Sequence, residues 1–160
     1  MADCDVKSGV LSDMGDGDDW PKVRARVLGA DIFILGIPIW LGHPSSMARR
    51  VLERLDAFLS ETDGLGRMPA AGKVALVAVV GNEDGAHTCH AACFQALNDV
   101  GFTIPANSDV YWGGEAMQSR NYVDLETIPD PLQSTLNMAA ANVALLARLL
   151  KQGEYPGLAG

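Results

Sequence analysis

Three short stretches of this chain combine side chains that could do chemistry with glycines that open the backbone to a ligand. The first is Pro38-Ile39-Trp40-Leu41-Gly42-His43-Pro44-Ser45-Ser46. An indole and aliphatic side chains in a connecting turn are costly to expose unless something apolar covers them. A planar heteroaromatic ligand would use Pro38, Ile39, Trp40 and Leu41 for its faces and the backbone at Gly42 for its polar edge, with Ser45 close by. The same residues also suit a buried connector, with Trp40 in the core and a serine capping the next helix. The second stretch is Gly81-Asn82-Glu83-Asp84-Gly85-Ala86-His87. Gly81 and Gly85 free the backbone, Asn82 and Glu83 offer hydrogen-bonding groups, Asp84 can cap a following helix, and His87 falls in its first turn. A plain turn before a capped helix accounts for them equally well. The third is Tyr111-Trp112-Gly113-Gly114, which reads as a wall of the same pocket or as an apolar patch at a subunit contact.

Two other clusters carry less. His87, Cys89, His90 and Cys93 place potential soft-metal ligands in one helical stretch, but as two pairs on faces rotated apart. One straight helix cannot wrap such a set tetrahedrally around zinc. The cysteines also fall on an apolar stripe with Leu97, which points to core packing. The acidic run from Asp13 to Asp19 lacks the alternating ligands and closing glutamate of a calcium loop, and reads as a solvated lead-in ending in a helix cap.

The elements that must position these loops alternate. Asp19-Trp20-Pro21 opens a helix that Gly29 ends, with Asp19 as its cap. Asp31 to Ile37 reads as a strand buried on both faces and stopped by Pro38. Ser45 to Ser60 carries Met47, Val51, Leu52, Leu55, Phe58 and Leu59 at helical spacing, with Arg49, Arg50, Glu53 and Arg54 largely on the other side. Lys73 to Val80 is a second strand, Ala86 to Val100 a helix, and Phe102 to Tyr111 a weaker strand near the sheet edge because Pro105 interrupts it. The last helix runs from Asp130 to Lys151. Strand alternating with helix gives one α/β domain over residues 1–160 with a parallel sheet and right-handed crossovers: a lead-in over 1–18, a core over 19–151 and a tail over 152–160.

Composition narrows the class. The chain has 160 residues and a formal charge of −8, the opposite of the basic footprint that nucleic acid or an anionic membrane requires. No apolar run approaches the roughly 18 residues of a membrane span, and the start lacks the basic and apolar regions of a signal peptide. Three cysteines suit a reducing compartment better than a disulfide scaffold, so the expected location is the cytoplasm.

The segment Ala30 to Leu59 resembles the strand, loop and helix of flavodoxin-like FMN reductases and NAD(P)H:quinone oxidoreductases. The shared elements are Ala30, Asp31, Gly36, Pro38, Trp40, Gly42, Ser45 and Asp56, with GNEDGAH and YWGG in the places of the next two loops. The resemblance covers about residues 19–150 and implies a three-layer flavodoxin-like parallel sheet flanked by helices. It also implies an FMN whose isoalloxazine ring contacts Pro38 to Gly42 with Ser45 nearby. Gly81 to Gly85 and His87 would flank the other side, and Tyr111 and Trp112 would close the pocket. Hydride would pass from NAD(P)H through the flavin to a quinone, flavin or similar small-molecule acceptor. The flavin supplies that chemistry, so no catalytic acid or base is assigned.

The three strands match the family's third, fourth and fifth, so the sequence reads as N-terminally truncated. The first two strands and the turn that holds the FMN phosphate have no counterpart. The family's third strand would then be an open edge, covered by another subunit in a homo-oligomer or by residues outside this chain. A second expectation comes from another class: a non-catalytic α/β interaction module that has lost flavin and binds a partner through that edge.

Overall fold

The computed structural model describes residues 4–114 and 118–158. In chain order its strands are β1 (Ile32–Trp40), β2 (His43–Pro44), β3 (Val74–Val80) and β4 (Asp109–Trp112). They form one sheet in the order β2-β1-β3-β4, with β1, β3 and β4 parallel and β2 antiparallel to β1. The helices are α1 (Trp20–Gly29), α2 (Ser46–Leu55), α3 (Ala86–Asp99) and α4 (Asp130–Gln152). A short 3-10 turn at Asp56–Leu59 extends α2, and another lies at Tyr122–Asp124.

Alternate residues of each strand point to opposite faces, and each face has its own core. Leu35, Ile37 and Ile39 of β1 and Ala75, Val77 and Val79 of β3 pack with Trp20, Leu55, Phe58, Cys89, Cys93 and Leu97 from the α1, α2 and α3 side. Val74, Leu76 and Val110 pack on the other face against Ala139, Val143 and Ala147 of α4. This is the three-layer flavodoxin-like arrangement.

Four sequence expectations change. First, Pro38 does not stop the strand; it pairs with Val80 inside β1, which continues to Trp40. A proline fits an edge strand because no neighbour needs its missing N–H. Among the described residues, the outer side of β1 is paired only by β2, at Ile39 and Trp40. Second, β1 is buried on one face rather than two. The layer of α4 covers β3 and β4, leaving Ile34 61% and Trp40 60% exposed. Third, the last strand spans only Asp109–Trp112, and the stretch before it contributes a single bridge from Thr103 to Val74. Fourth, the apolar stripe of α2 is shorter: Met47 and Leu59 are exposed, while Arg54 is fully buried.

Arg54 is buried because residues 4–18, although without helix or strand, fold back onto α1 and α2. Its guanidinium pairs with Asp18 at 2.8 Å with neither side chain accessible, and lies 5.7 Å from the Trp20 ring centroid. The Asp18 carboxylate also accepts the backbone N–H groups of Lys7, Met14 and Trp20, so it holds the start of α1 in the role expected of Asp19. Asp19 makes no side-chain cap bond and instead pairs with Lys22 and accepts the Asp5 N–H.

Candidate functional site

The three stretches singled out from sequence all lie at the carboxyl ends of β1, β3 and β4, the edge at which open α/β sheets bind ligands. Pro38 to Trp40 and Tyr111 to Trp112 are the last residues of β1 and β4. The first is a tight β-hairpin rather than an open loop. Trp40 pairs with His43, so Leu41 and Gly42 form a two-residue turn with φ of 52° and 76°. Positive φ at both central residues is the signature of a type I′ turn, which glycine and asparagine adopt readily and leucine does not. Leu41 is nevertheless 89% exposed, so packing of its side chain does not hold it there. Its backbone N–H instead donates to the Glu83 carboxylate at 2.8 Å, fastening the hairpin tip to the second loop.

Glycine at 85 makes the same junction possible. It has φ of 116°, and a Cβ there would meet the Gly42 Cα at 2.6 Å. The third loop joins through the Gly81 N–H, which donates to the Trp112 carbonyl at 3.0 Å. The turns at Trp40, Asn82 and Trp112 therefore converge.

They enclose a cleft of about 310 Å³ lined by Pro38, Ile39, Trp40, Gly81, Asn82, Glu83 and Trp112. Val80, Asn121, Tyr122 and Val123 also line it, and sequence reading missed them. The Tyr122 ring stands edge-on to Trp112 at 5.6 Å between centroids, and the Asn121 amide oxygen accepts from the Asn82 side chain at 3.4 Å. The one available signal was the aromatic Tyr122 in a stretch without periodicity.

The other anticipated residues stand outside this cleft. Asp84, Gly85, His87 and Tyr111 border a smaller recess of about 220 Å³. There the His87 and Tyr111 rings meet edge-to-face at 5.2 Å. Ser45 is buried and accepts the Ala48 N–H at 3.3 Å, so it caps α2 as one of its readings held. Leu41 and Gly42 form the hairpin tip. Asp84 makes no helix cap; its carboxylate accepts the N–H of the adjacent Gly85. The alternative that packed Trp40 into the core fails, because its indole is largely exposed.

His90, Cys89 and Cys93 lie in the core beneath. The His90 Nε2 faces the Val77 carbonyl at 3.2 Å, and burial pushes the imidazole below its ordinary range. Burial likewise raises both thiols, that of Cys93 to about 11.

The cleft suits the ring of a flavin better than its phosphate. Trp40 and Trp112 supply apolar surface, and the Asn82 side-chain amide supplies polar groups. Glu83 is the only charged side chain among the described residues that line it. A phosphate dianion would be repelled there rather than held.

Comparison with known proteins gives the family and the fold. A family model described as NADPH-dependent FMN reductase matches residues 1–116. The chain is 30% identical over 139 residues to 8-demethyl-8-aminoriboflavin-5'-phosphate synthase of Streptomyces davaonensis, covering 86% of this chain and 54% of that protein. It is 39% identical over 126 residues to a Mycobacterium bovis protein named divalent metal cation transporter MntH, covering 76% of this chain but only 18% of the other. The chain thus spans about half or less of these curated relatives. Among solved structures, RosB with bound 8-demethyl-8-formylriboflavin-5'-phosphate superposes with a TM-score of 0.83 at 28% identity, covering 96% of this chain and 65% of that one. An oxidoreductase from Corynebacterium diphtheriae gives a TM-score of 0.51 at 10% identity over 82% of this chain and 62% of that one, which bears on the fold alone.

Proposed function

Because the chain belongs to the NADPH-dependent FMN reductase family, we propose that it binds FMN with the isoalloxazine ring in the cleft between Trp40, Asn82 and Trp112, and acts as an oxidoreductase. The observation that carries this reading is the convergence of three sequence-distant loops, fastened by the Leu41–Glu83 and Gly81–Trp112 hydrogen bonds, around an open cleft with aromatic walls. When bound, the flavin supplies hydride and electron transfer between NAD(P)H and a small-molecule acceptor.

The chain's own residues bind and orient. Trp40 and Trp112 cover apolar ring surface and keep water from it. The Asn82 side-chain amide offers hydrogen bonds to the polar edge of the ring. Glu83 holds the hairpin tip, which fixes Trp40 through its neighbour Leu41. His87, Tyr111, Gly85 and Asp84 form the outer rim.

A second reading is favoured by the superposition on RosB: the flavin phosphate is a substrate to be modified and released rather than a resident cofactor. Metal transport has no place in either reading. The match to the transporter covers 18% of that protein, and no helix among the described residues is long and apolar enough to cross a membrane. The reading further includes a reducing, cytoplasmic setting and self-association through the outer edge of β1.

Gel filtration of the protein mixed with FMN tests the first reading. Co-eluting flavin bands that bleach on anaerobic addition of NADPH are expected. A colourless protein peak contradicts it and favours a flavin-free interaction module. Recovery of the flavin with a changed mass after incubation favours the modifying enzyme.

A further inference from the structure

Resting on the flavin reading above, we propose that a second and larger cleft, between the turn after β4 and the start of α4, binds the reaction partner as a flat organic molecule bearing one anionic group, with Arg120 as its charge anchor. The cleft has a volume of about 590 Å³, within the roughly 300–1,000 Å³ typical of small-molecule sites. Its walls are apolar where Trp112, Leu125, Pro129 and Leu132 meet. Arg120 is the only charged side chain among the described residues that line it, and among the described residues it makes no ion pair.

In a chain of charge −8, a cation that has no ion-pair partner among the described residues, beside apolar walls, selects for an anion with an apolar body. One cation also limits the charge that can be satisfied. A dinucleotide, with its several phosphates, would need more donors than this cleft offers, whereas one carboxylate or sulfonate matches it.

Placement relative to the flavin cleft follows from Trp112, whose indole lines both. That ring is fixed from behind. Gly114 has φ of +56°, and a Cβ there would lie 2.9 Å from the indole, so the ring rests directly on the glycine backbone. An occupant of the second cleft therefore lies one aromatic ring away from the flavin. Thr135 of α4 lines the same space.

Isothermal titration with naphthalene-2-sulfonate and its neutral analogue naphthalene-2-sulfonamide tests the assignment. The sulfonate should bind the wild type and bind Arg120→Ala about tenfold more weakly, with Arg120→Lys keeping most of the affinity. The sulfonamide should bind the wild type and Arg120→Ala equally. Thr135→Trp, with unchanged circular dichroism, should lose both. Sulfonate affinity unchanged by Arg120→Ala, or no sulfonate binding to the wild type, overturns the proposal. So does a loss of FMN affinity in Arg120→Ala, which would make Arg120 an anchor for the flavin's own phosphate. Failure of FMN to bind any variant overturns the flavin reading instead, and leaves the sulfonate comparison to decide the cleft by itself.

Discussion

At the scale of single residues, the hairpin tip shows where local preference has been set aside. Leu41 sits in the left-handed region at φ 52° with its side chain in solvent, and the Glu83 carboxylate holds its N–H. A non-glycine residue in that region costs about 1 kcal/mol or more, and such strain persists where surrounding structure imposes it. Leu41→Asn should therefore stabilise the protein by about 0.5–1 kcal/mol, seen as a higher urea midpoint at unchanged slope. Glu83→Ala should lower the midpoint, because it removes a charge-assisted hydrogen bond, an effect of about 1 kcal/mol at this exposed position. A lowered midpoint for Leu41→Asn would mean that the leucine side chain makes a contact that outweighs the strain. Trp40 makes a separate prediction. Trp40→Asp should change stability by less than about 0.5 kcal/mol, since the ring is exposed, while weakening FMN binding about tenfold through loss of stacking surface. The indole and glycines of these loops were legible in the sequence. The type I′ turn was not, because leucine at its first central position argues against it.

At the scale of elements, apolar residues at helical spacing located α1, α3 and α4, and an unbroken apolar run located β3, which is buried on both faces. The end of β1 was missed for a physical reason: Pro38 forbids a central strand but not an edge one, and edge status depends on tertiary pairing. Arg54 was missed for a similar reason. Its charge places it with Arg49, Arg50 and Glu53 on an outer face until Asp18, far away in sequence, folds over it. Asp18→Ala would leave that guanidinium buried and unpaired, which should cost about 3 kcal/mol or more. Burial alone would raise the Asp18 carboxyl. The N–H groups of Met14, Trp20 and Lys7, together with Arg54, more than offset this and hold it below the ordinary carboxylate range. A carboxylate depressed in the fold contributes stability that is present above its unfolded pKa and lost as pH falls through the folded one. Stability should thus decline on acidification below about pH 4, and Asp18→Asn should flatten that decline in urea titrations. The thiols offer a further check on the elements. Cys4 is exposed, whereas Cys89 and Cys93 are buried in the helix–sheet core. One thiol should react promptly with Ellman's reagent under native conditions, and all three after unfolding.

At the scale of the whole molecule, the sheet is asymmetric. One face is covered by α1, α2 and α3 and the other by α4 over β3 and β4, which leaves Ile34 of β1 exposed. The outer side of β1 is paired among the described residues only at Ile39 and Trp40. Unpaired strand edges invite pairing with another chain. Sedimentation velocity should accordingly show self-association that Ile34→Lys reduces; identical profiles would place any oligomer contact elsewhere. The parallel order of strands and the loops at their carboxyl ends could be read from alternation alone. Segment 118–125, which walls both clefts, could not, because it is held by contacts to Trp112 and Asn82 rather than by any repeating pattern.

The central claim is that loops after three different strands meet on one flat ring. Backbone amide chemical shifts recorded during an FMN titration test it most directly. The account predicts that the perturbed amides cluster at residues 39–42, 81–83, 112 and 121–123, while the opposite end of the sheet around Arg67 and Lys73 stays unmoved. Perturbations centred on that opposite end, or none anywhere at saturating FMN, would contradict it.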